Sequence, residues 1–137
     1  MAQQYAKDQP SGFANRIKNV AIVGATGSVG EYITEYLLKN GRHTVTAITR
    51  MDSKSKMPEG VNVAKVNYDD ESTLVEALNG QAALIITMKA GQHEAQSKLI
   101  EAAAKAKVQW IVPNEYGPDV VANPQMGKVF TYPVLYP

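Results

Sequence analysis

The chain has no cysteine, so it has no disulfide frame, no thiolate metal site and no thiol nucleophile. Histidine is nearly absent too. His43 falls in a helix-to-strand turn and reads as exposed, while His93 opens a helix and reads as a surface residue rather than a base. No spacing of His or carboxylates suggests a metal, so none is predicted. An excess of one charge is also lacking: 14 Lys and Arg against 13 Asp and Glu leave a net +1. That balance does not supply the basic face that neutralises nucleic-acid phosphates. No apolar run approaches the length of a membrane span, and the polar start (1–16) lacks the apolar core of a signal peptide. The expectation is a soluble, cytoplasmic protein with no nucleic-acid or membrane partner.

What the chain does have is concentrated in residues 20–30, Val-Ala-Ile-Val-Gly-Ala-Thr-Gly-Ser-Val-Gly. An apolar strand-like run ends in Gly24, Gly27 and Gly30, and an amphipathic stretch follows at once. Strand, tight glycine turn and helix in that order place bare N–H groups and a positive helix N-terminus beside a dinucleotide's pyrophosphate. The spacing is Gly-x-x-Gly-x-x-Gly rather than Gly-x-Gly-x-x-Gly. It still permits close backbone approach, so the turn from Gly24 through Gly27 and Ser28 to Gly30 is the expected pyrophosphate seat.

Alternating signals continue along the chain. Strands are expected at 19–23, 43–49, 61–66, 83–88 and 108–112, and helices at 28–39, 72–78 and 92–105. Asn40-Gly41 stops the first helix, whose inward stripe is read as Val29, Ile33, Tyr36 and Leu37. The long third helix is read with Gln96, Leu99, Ile100, Ala103 and Ala104 inward. Such alternation predicts an α/β, Rossmann-type doubly wound parallel sheet of about five strands, order 3-2-1-4-5, with the ligand at the carboxyl ends. A flexible leader (1–16) precedes this domain (17–119). A Pro-rich apolar tail (120–137) follows it, and five of the seven prolines fall at 113 or beyond. The tail's Val129-Phe-Thr-Tyr-Pro-Val-Leu-Tyr-Pro stretch would need cover from the body or from a second copy, and so offers a homo-oligomer contact.

About twenty residues past the last glycine, an NAD site commonly carries an acidic residue for the ribose 2′-hydroxyl, whereas an Arg suits a 2′-phosphate. Here the position is Thr49-Arg50, with Lys54 and Lys56 beyond it and Asp52 as a dissenting carboxylate. Arg50 offers a planar charged fork for phosphate oxygens, so NADP(H) is expected over NAD(H). By position in the fold, Tyr68 and Asp69 would border the adenine. Thr87, Met88 and Lys89 would run under the middle of the cofactor.

Catalytic signals are scarce. A short-chain dehydrogenase of the usual kind pairs a Tyr with a Lys four residues on, to donate a proton and tune its pKa. No tyrosine here meets that spacing: Tyr32 leads to Tyr36, Tyr36 to Asn40, Tyr116 to Val120 and Tyr132 to Tyr136. No Ser, His and Asp arrangement suggests a nucleophile either, and the catalytic residue is unassigned.

Several segments occur together in a familiar order: Val23-Gly-Ala-Thr-Gly-Ser-Val-Gly30, Thr46-Ala-Ile-Thr-Arg50, Val66-Asn-Tyr-Asp-Asp-Glu-Ser-Thr-Leu-Val-Glu-Ala-Leu78, Gln96-Ser-Lys-Leu-Ile-Glu-Ala-Ala103 and Val112-Pro-Asn-Glu-Tyr-Gly117. Over residues 17–119 the chain resembles the NmrA-like, isoflavone-reductase-like branch of the atypical short-chain dehydrogenases, and within it the CipA-like oxidoreductases. The Pro-Asn-Glu-Tyr-Gly stretch is the most specific element, because a generic dinucleotide fold does not require it. The resemblance implies a Rossmann domain holding NADP(H), with the pyrophosphate over Gly24, Thr26, Gly27, Val29 and Gly30 and the 2′-phosphate near Arg50. It implies hydride transfer to small, often aromatic or unsaturated molecules in reductase members, and dinucleotide-sensing regulation of a protein partner in NmrA-type members. It also implies a catalytic lysine on a helix beyond the Pro-Asn-Glu-Tyr-Gly element. The one lysine there, Lys128, has no helical pattern around it and does not take that role. Glu115 and Tyr116 would flank the nicotinamide end. Members run to roughly twice this length, as a cofactor domain plus a substrate-covering region would. The chain therefore reads as the cofactor half, with the substrate region missing.

Overall fold

Short apolar runs with no polar face, such as Val20 to Val23, are stable only when both faces of the sheet are covered. In the computed structural model this run forms β1 (Asn19–Val23), which lies at the centre of the sheet. The structure describes residues 10–13, 16–117 and 122–125. Most of the expected leader and most of the expected tail, Lys128 included, lie outside the described residues.

Around β1 stand β2 (Thr44–Arg50), β3 (Asn62–Val66), β4 (Ala83–Ile86) and β5 (Trp110–Val112). All pairs are parallel and the order is β3-β2-β1-β4-β5. Register is set by buried partners: Val20 pairs with Val45 on one side and with Ala83 on the other. The expected sheet is thus borne out, strand order included.

Helix α1 (Gly30–Asn40) covers one face, where Ile22, Ala25, Val45 and Ala47 form a small core with Ile33, Leu37, Leu38, Met57 and Val61. Helices α2 (Glu71–Leu78) and α3 (His93–Lys105) cover the other face, over Val23, Ile48, Val66, Leu84 and Ile86. Leu78, Leu84 and Leu99 in that larger core are fully buried. Each contributes about 1.5–3 kcal/mol by leaving water. The Lys105 ammonium pairs with Glu71 and ties α3 to α2.

Local chemistry sets the helix ends. Asp70 caps α2, its carboxylate accepting from the Ser72 N–H at 3.1 Å. Gly41 takes the left-handed position after α1, and its N–H donates to the Leu38 carbonyl at 3.0 Å.

Several expectations are corrected. α1 starts at Gly30 rather than Ser28, because residues 27–29 are spent in the turn. Its buried face centres on Gly30 and Thr34, and Tyr36 is 77% exposed. On α3 the inward residues are Leu99, Ala102 and Ala103, while Ile100 and Ala104 face out. β4 ends at Ile86, two residues early, where the chain leaves the sheet beside β1. His43 is half-buried, not exposed: its Nδ1–H donates to the Ile17 carbonyl at 3.0 Å, the only role open to it against a carbonyl. On the α1 face of β5, Trp110 and Val112 remain largely uncovered. Among the described residues, no helix is long and apolar enough to cross a membrane, and no cluster of His and carboxylates has metal-binding geometry.

Candidate dinucleotide-binding site

The carboxyl end of β1 runs straight into the glycine turn. Gly24 adopts φ +81°, and the Gly27 N–H donates back to its carbonyl at 2.9 Å, which closes the turn. The Glu31 N–H donates to the Gly27 carbonyl at 2.9 Å, so the chain passes from turn to helix without a break. Thr34, buried on α1, donates its hydroxyl to the Ala25 carbonyl at 3.4 Å.

Packing explains two of the three glycines. A Cβ at Gly24 would strike the Thr87 carbonyl, and one at Gly30 would strike the Gly24 carbonyl and lie 2.6 Å from Thr87 Oγ1. These two let β1, β4 and α1 close together. A Cβ at Gly27 would meet its nearest neighbour, the Gly24 carbonyl oxygen, at 3.2 Å. Thr26, Gly27, Ser28 and Val29 form the exposed outer rim of the turn. The rim is an exposed turn with one glycine at a helix N-terminus, a surface suited to a pyrophosphate.

Thr87 lies beneath this turn and is 8% exposed. Its N–H donates to the Val23 carbonyl at 2.9 Å, and its hydroxyl donates to the same oxygen at 2.7 Å, with the Gly24 carbonyl 3.1 Å away. The structure thus brings Thr87 to the turn from below. Met88, next in the chain, is half-buried against the larger core, and Lys89 is exposed.

At the neighbouring strand end, Arg50 closes β2 and stands exposed, with Nε 3.6 Å from Asp52 Oδ1. The Ser53 N–H donates to the Arg50 carbonyl at 3.0 Å, folding residues 50–53 into a turn. The Lys65 ammonium, on β3, donates to the Met51 carbonyl at 3.5 Å and the Ser53 carbonyl at 3.4 Å. Sequence reasoning passed over Lys65, and its only signal was position, opposite Thr49 in the β2–β3 register. Thr49 itself carries a buried Oγ1 with no hydrogen-bond partner, immediately before Arg50.

Tyr68 and Asp69 follow β3 in a loop held by its own side chains. Asn67 Oδ1 accepts from the Asp69 N–H at 3.0 Å, and the Asn67 N–H donates to Thr73 Oγ1 at 3.0 Å. Burial raises the Tyr68 pKa, and the nearby Arg50 charge only partly offsets this. Lys98 reaches from α3 to Asp69 at 3.5 Å and to Glu94 at 3.0 Å. The Glu94 hydrogen bond is the main cause of the raised Lys98 pKa. A shallow cavity of about 200 Å³ runs from Tyr68 and Asp69 between α2 and α3, over Leu74. It touches the site at its Tyr68 end only.

At the far side of the sheet, Gln96 Oε1 accepts from the Asn114 N–H at 2.8 Å and anchors the 113–117 stretch to α3. Burial raises the Tyr116 pKa. His93 is exposed at the start of α3.

The arrangement as a whole is an exposed turn between two strand ends, with a cation at one end and aromatic residues on both flanks. Residues 16–131 match the NmrA-like family. The chain is 42% identical over 101 residues to the oxidoreductase aprR of Aspergillus flavus, covering 73% of this chain and 34% of that protein. An isoflavone reductase structure superposes with a TM-score of 0.65 at 27% identity, covering 76% of this chain and 38% of the other. The NADPH-dependent quinone oxidoreductase of Escherichia coli, solved with NADPH, matches at 34% identity and a TM-score of 0.59, over 67% of this chain and 35% of that one. The chain spans about a third of the length of the curated relatives it matches.

Proposed function

Because the chain belongs to the NmrA-like family, we propose that it binds NADP(H) and forms the cofactor-holding part of an oxidoreductase. The observation that carries this reading is the close packing of Gly24 and Gly30 at Thr87, which holds the exposed Thr26–Val29 turn at the end of β1, with Arg50 at the end of the neighbouring strand β2. Gly24, Thr26, Gly27, Ser28, Val29 and Gly30 hold the pyrophosphate, and Arg50 takes the 2′-phosphate. Tyr68 and Asp69 border the adenine, with Thr87 and Met88 beneath the middle of the molecule. A bound reduced dinucleotide supplies a hydride to a small organic acceptor. The protein's part is to fix and orient the cofactor. Support for this class comes from relatives whose names are oxidoreductase and quinone oxidoreductase.

Calorimetric titration with NADPH and NADH tests the reading. NADPH binds more tightly than NADH, and Arg50→Asp shifts the balance toward NADH. An unchanged balance in Arg50→Asp would sink the 2′-phosphate assignment, and no binding of either nucleotide would sink the site.

A second reading, a dinucleotide sensor that docks on a protein partner, draws on one observation. Trp110 is 58% exposed on the edge strand β5, beside the exposed Val112. Turnover of NADPH with a panel of quinones and enones favours the first reading, and binding without turnover favours the second.

A further inference from the structure

The end of β2 holds two residues that ordinarily belong to opposite specificities. An acidic residue there accepts the ribose 2′-hydroxyl of NAD(H), and an arginine there takes the 2′-phosphate of NADP(H). This chain has both, two positions apart and in contact: Arg50 Nε lies 3.6 Å from Asp52 Oδ1. Resting on the dinucleotide reading above, we propose that Asp52 and Arg50 form a two-way coenzyme selector. Asp52 opposes the 2′-phosphate and accepts from the 2′-hydroxyl, so NADP(H) is favoured only modestly.

The geometry supports an exchangeable pair. The side chains of Arg50 and Asp52 are 73% and 78% exposed, so the contact is screened and easily broken. At 3.6 Å it is a loose ion pair rather than a tight hydrogen bond. The carboxylate's location, by contrast, is fixed by backbone. The Ser53 N–H closes the turn onto the Arg50 carbonyl at 3.0 Å, and Lys65 gathers the Met51 and Ser53 carbonyls from below. The turn thus keeps Asp52 within reach of the guanidinium. A 2′-phosphate arriving at Arg50 would displace the carboxylate and remain close to it. A ribose 2′-hydroxyl arriving at the same place would find an acceptor. Lys65 acts as a positioning residue for the turn that carries both.

The test is the pair of dissociation constants for NADPH and NADH, measured by calorimetry on the full chain and on Asp52→Asn. An exposed pair of this kind is worth up to roughly fivefold in affinity. Asp52→Asn should therefore tighten NADPH binding by roughly that factor and leave NADH unchanged or weaker. Asp52→Glu should keep the wild-type balance. Adenosine 2′,5′-bisphosphate and AMP should follow the same trend, which confines the effect to the adenosine end. If wild type binds both dinucleotides and Asp52→Asn leaves their ratio unchanged, the selector is wrong and the binding site stands. If wild type binds neither, the site and the selector fall together.

Discussion

The hydroxyl of Thr87 donates to the main-chain carbonyl of Val23, 64 residues away in the chain, across 2.7 Å. One buried side chain thereby fastens the end of β4 to the mouth of the glycine turn. Thr87 leaves no room for a Cβ at Gly24, and together with the Gly24 carbonyl it leaves none at Gly30. The turn proposed to hold the pyrophosphate is therefore a product of three segments, not of the glycine motif alone.

Thr87→Val keeps the shape and removes the hydroxyl. It should cost about 1–2 kcal/mol, the value of a buried hydrogen bond whose loss leaves the acceptor less well satisfied. Thr87→Ser should retain most of that. Thermal unfolding of both variants provides the check, and equal midpoints for Val and wild type would remove the proposed tie.

Much of this architecture was legible in the sequence because its signals are local. Four apolar residues before Gly24 and Asn40-Gly41 after a helical period each name their own structure. What was not legible depends on partners far away. Tyr36 has the spacing of an inward residue, yet α1 is rotated so that Thr34 faces the sheet, where its hydroxyl reaches Ala25. Ile100 is 37% exposed because the buried stripe of α3 runs through Leu99, Ala102 and Ala103. Thr87 was legible as a strand-end residue at the site, but its inward hydroxyl depends on the Val23 carbonyl of another strand. In the same way, no local pattern shows that Lys65 holds the turn after Arg50.

The glycines separate folding from binding. Gly30→Ala places a methyl against the Gly24 carbonyl and Thr87 Oγ1, both held in the turn, so the backbone must move. It should cost about 2–3 kcal/mol, in the range of overpacking a closed site. Gly27→Ala meets the Gly24 carbonyl at 3.2 Å and the Thr87 carbonyl at an ordinary 3.9 Å, and stands on the exposed rim. Its unfolding midpoint should stay much closer to wild type, while NADPH affinity falls about tenfold or more, because the methyl blocks backbone approach to the phosphates. Parallel thermal melts and titrations of the two variants decide the matter. A Gly27→Ala protein that binds normally would remove the turn from the site.

Alkaline pH should weaken the fold through Tyr68. Burial raises its folded-state pKa above the ordinary value of 10.0, and Arg50 offsets only part of this. For a group raised in this way, the stabilisation is complete below the unfolded value and is lost as pH climbs through the folded one. Melting temperature should therefore drop more steeply above pH 10 than in Tyr68→Phe, which has no phenol to ionise. Tyr116 shifts in the same direction from burial alone, but it is 42% exposed, so Tyr116→Phe should change the alkaline slope less. Identical slopes for wild type and Tyr68→Phe would show that Tyr68 does not drive the loss.

Gln96 gives a prediction about local order in the stretch after β5. Its Oε1 accepts from the Asn114 N–H at 2.8 Å, in a partly buried contact between α3 and the stretch after β5. The Glu115 N–H donates to the Pro113 carbonyl at 2.8 Å, and Gln96 links Asn114 to α3. Gln96→Ala should cost about 1 kcal/mol globally, the net worth of one such bond. Its larger effect should be local: the Asn114 amide should exchange with solvent much faster, while amides of β1 and β4 keep their protection. Gln96→Glu retains an acceptor and should preserve the slow exchange. Hydrogen exchange read residue by residue distinguishes these cases. Fast exchange at Asn114 in the wild-type protein would mean that the 113–117 stretch is ordered by something other than Gln96, and would remove α3 from its support.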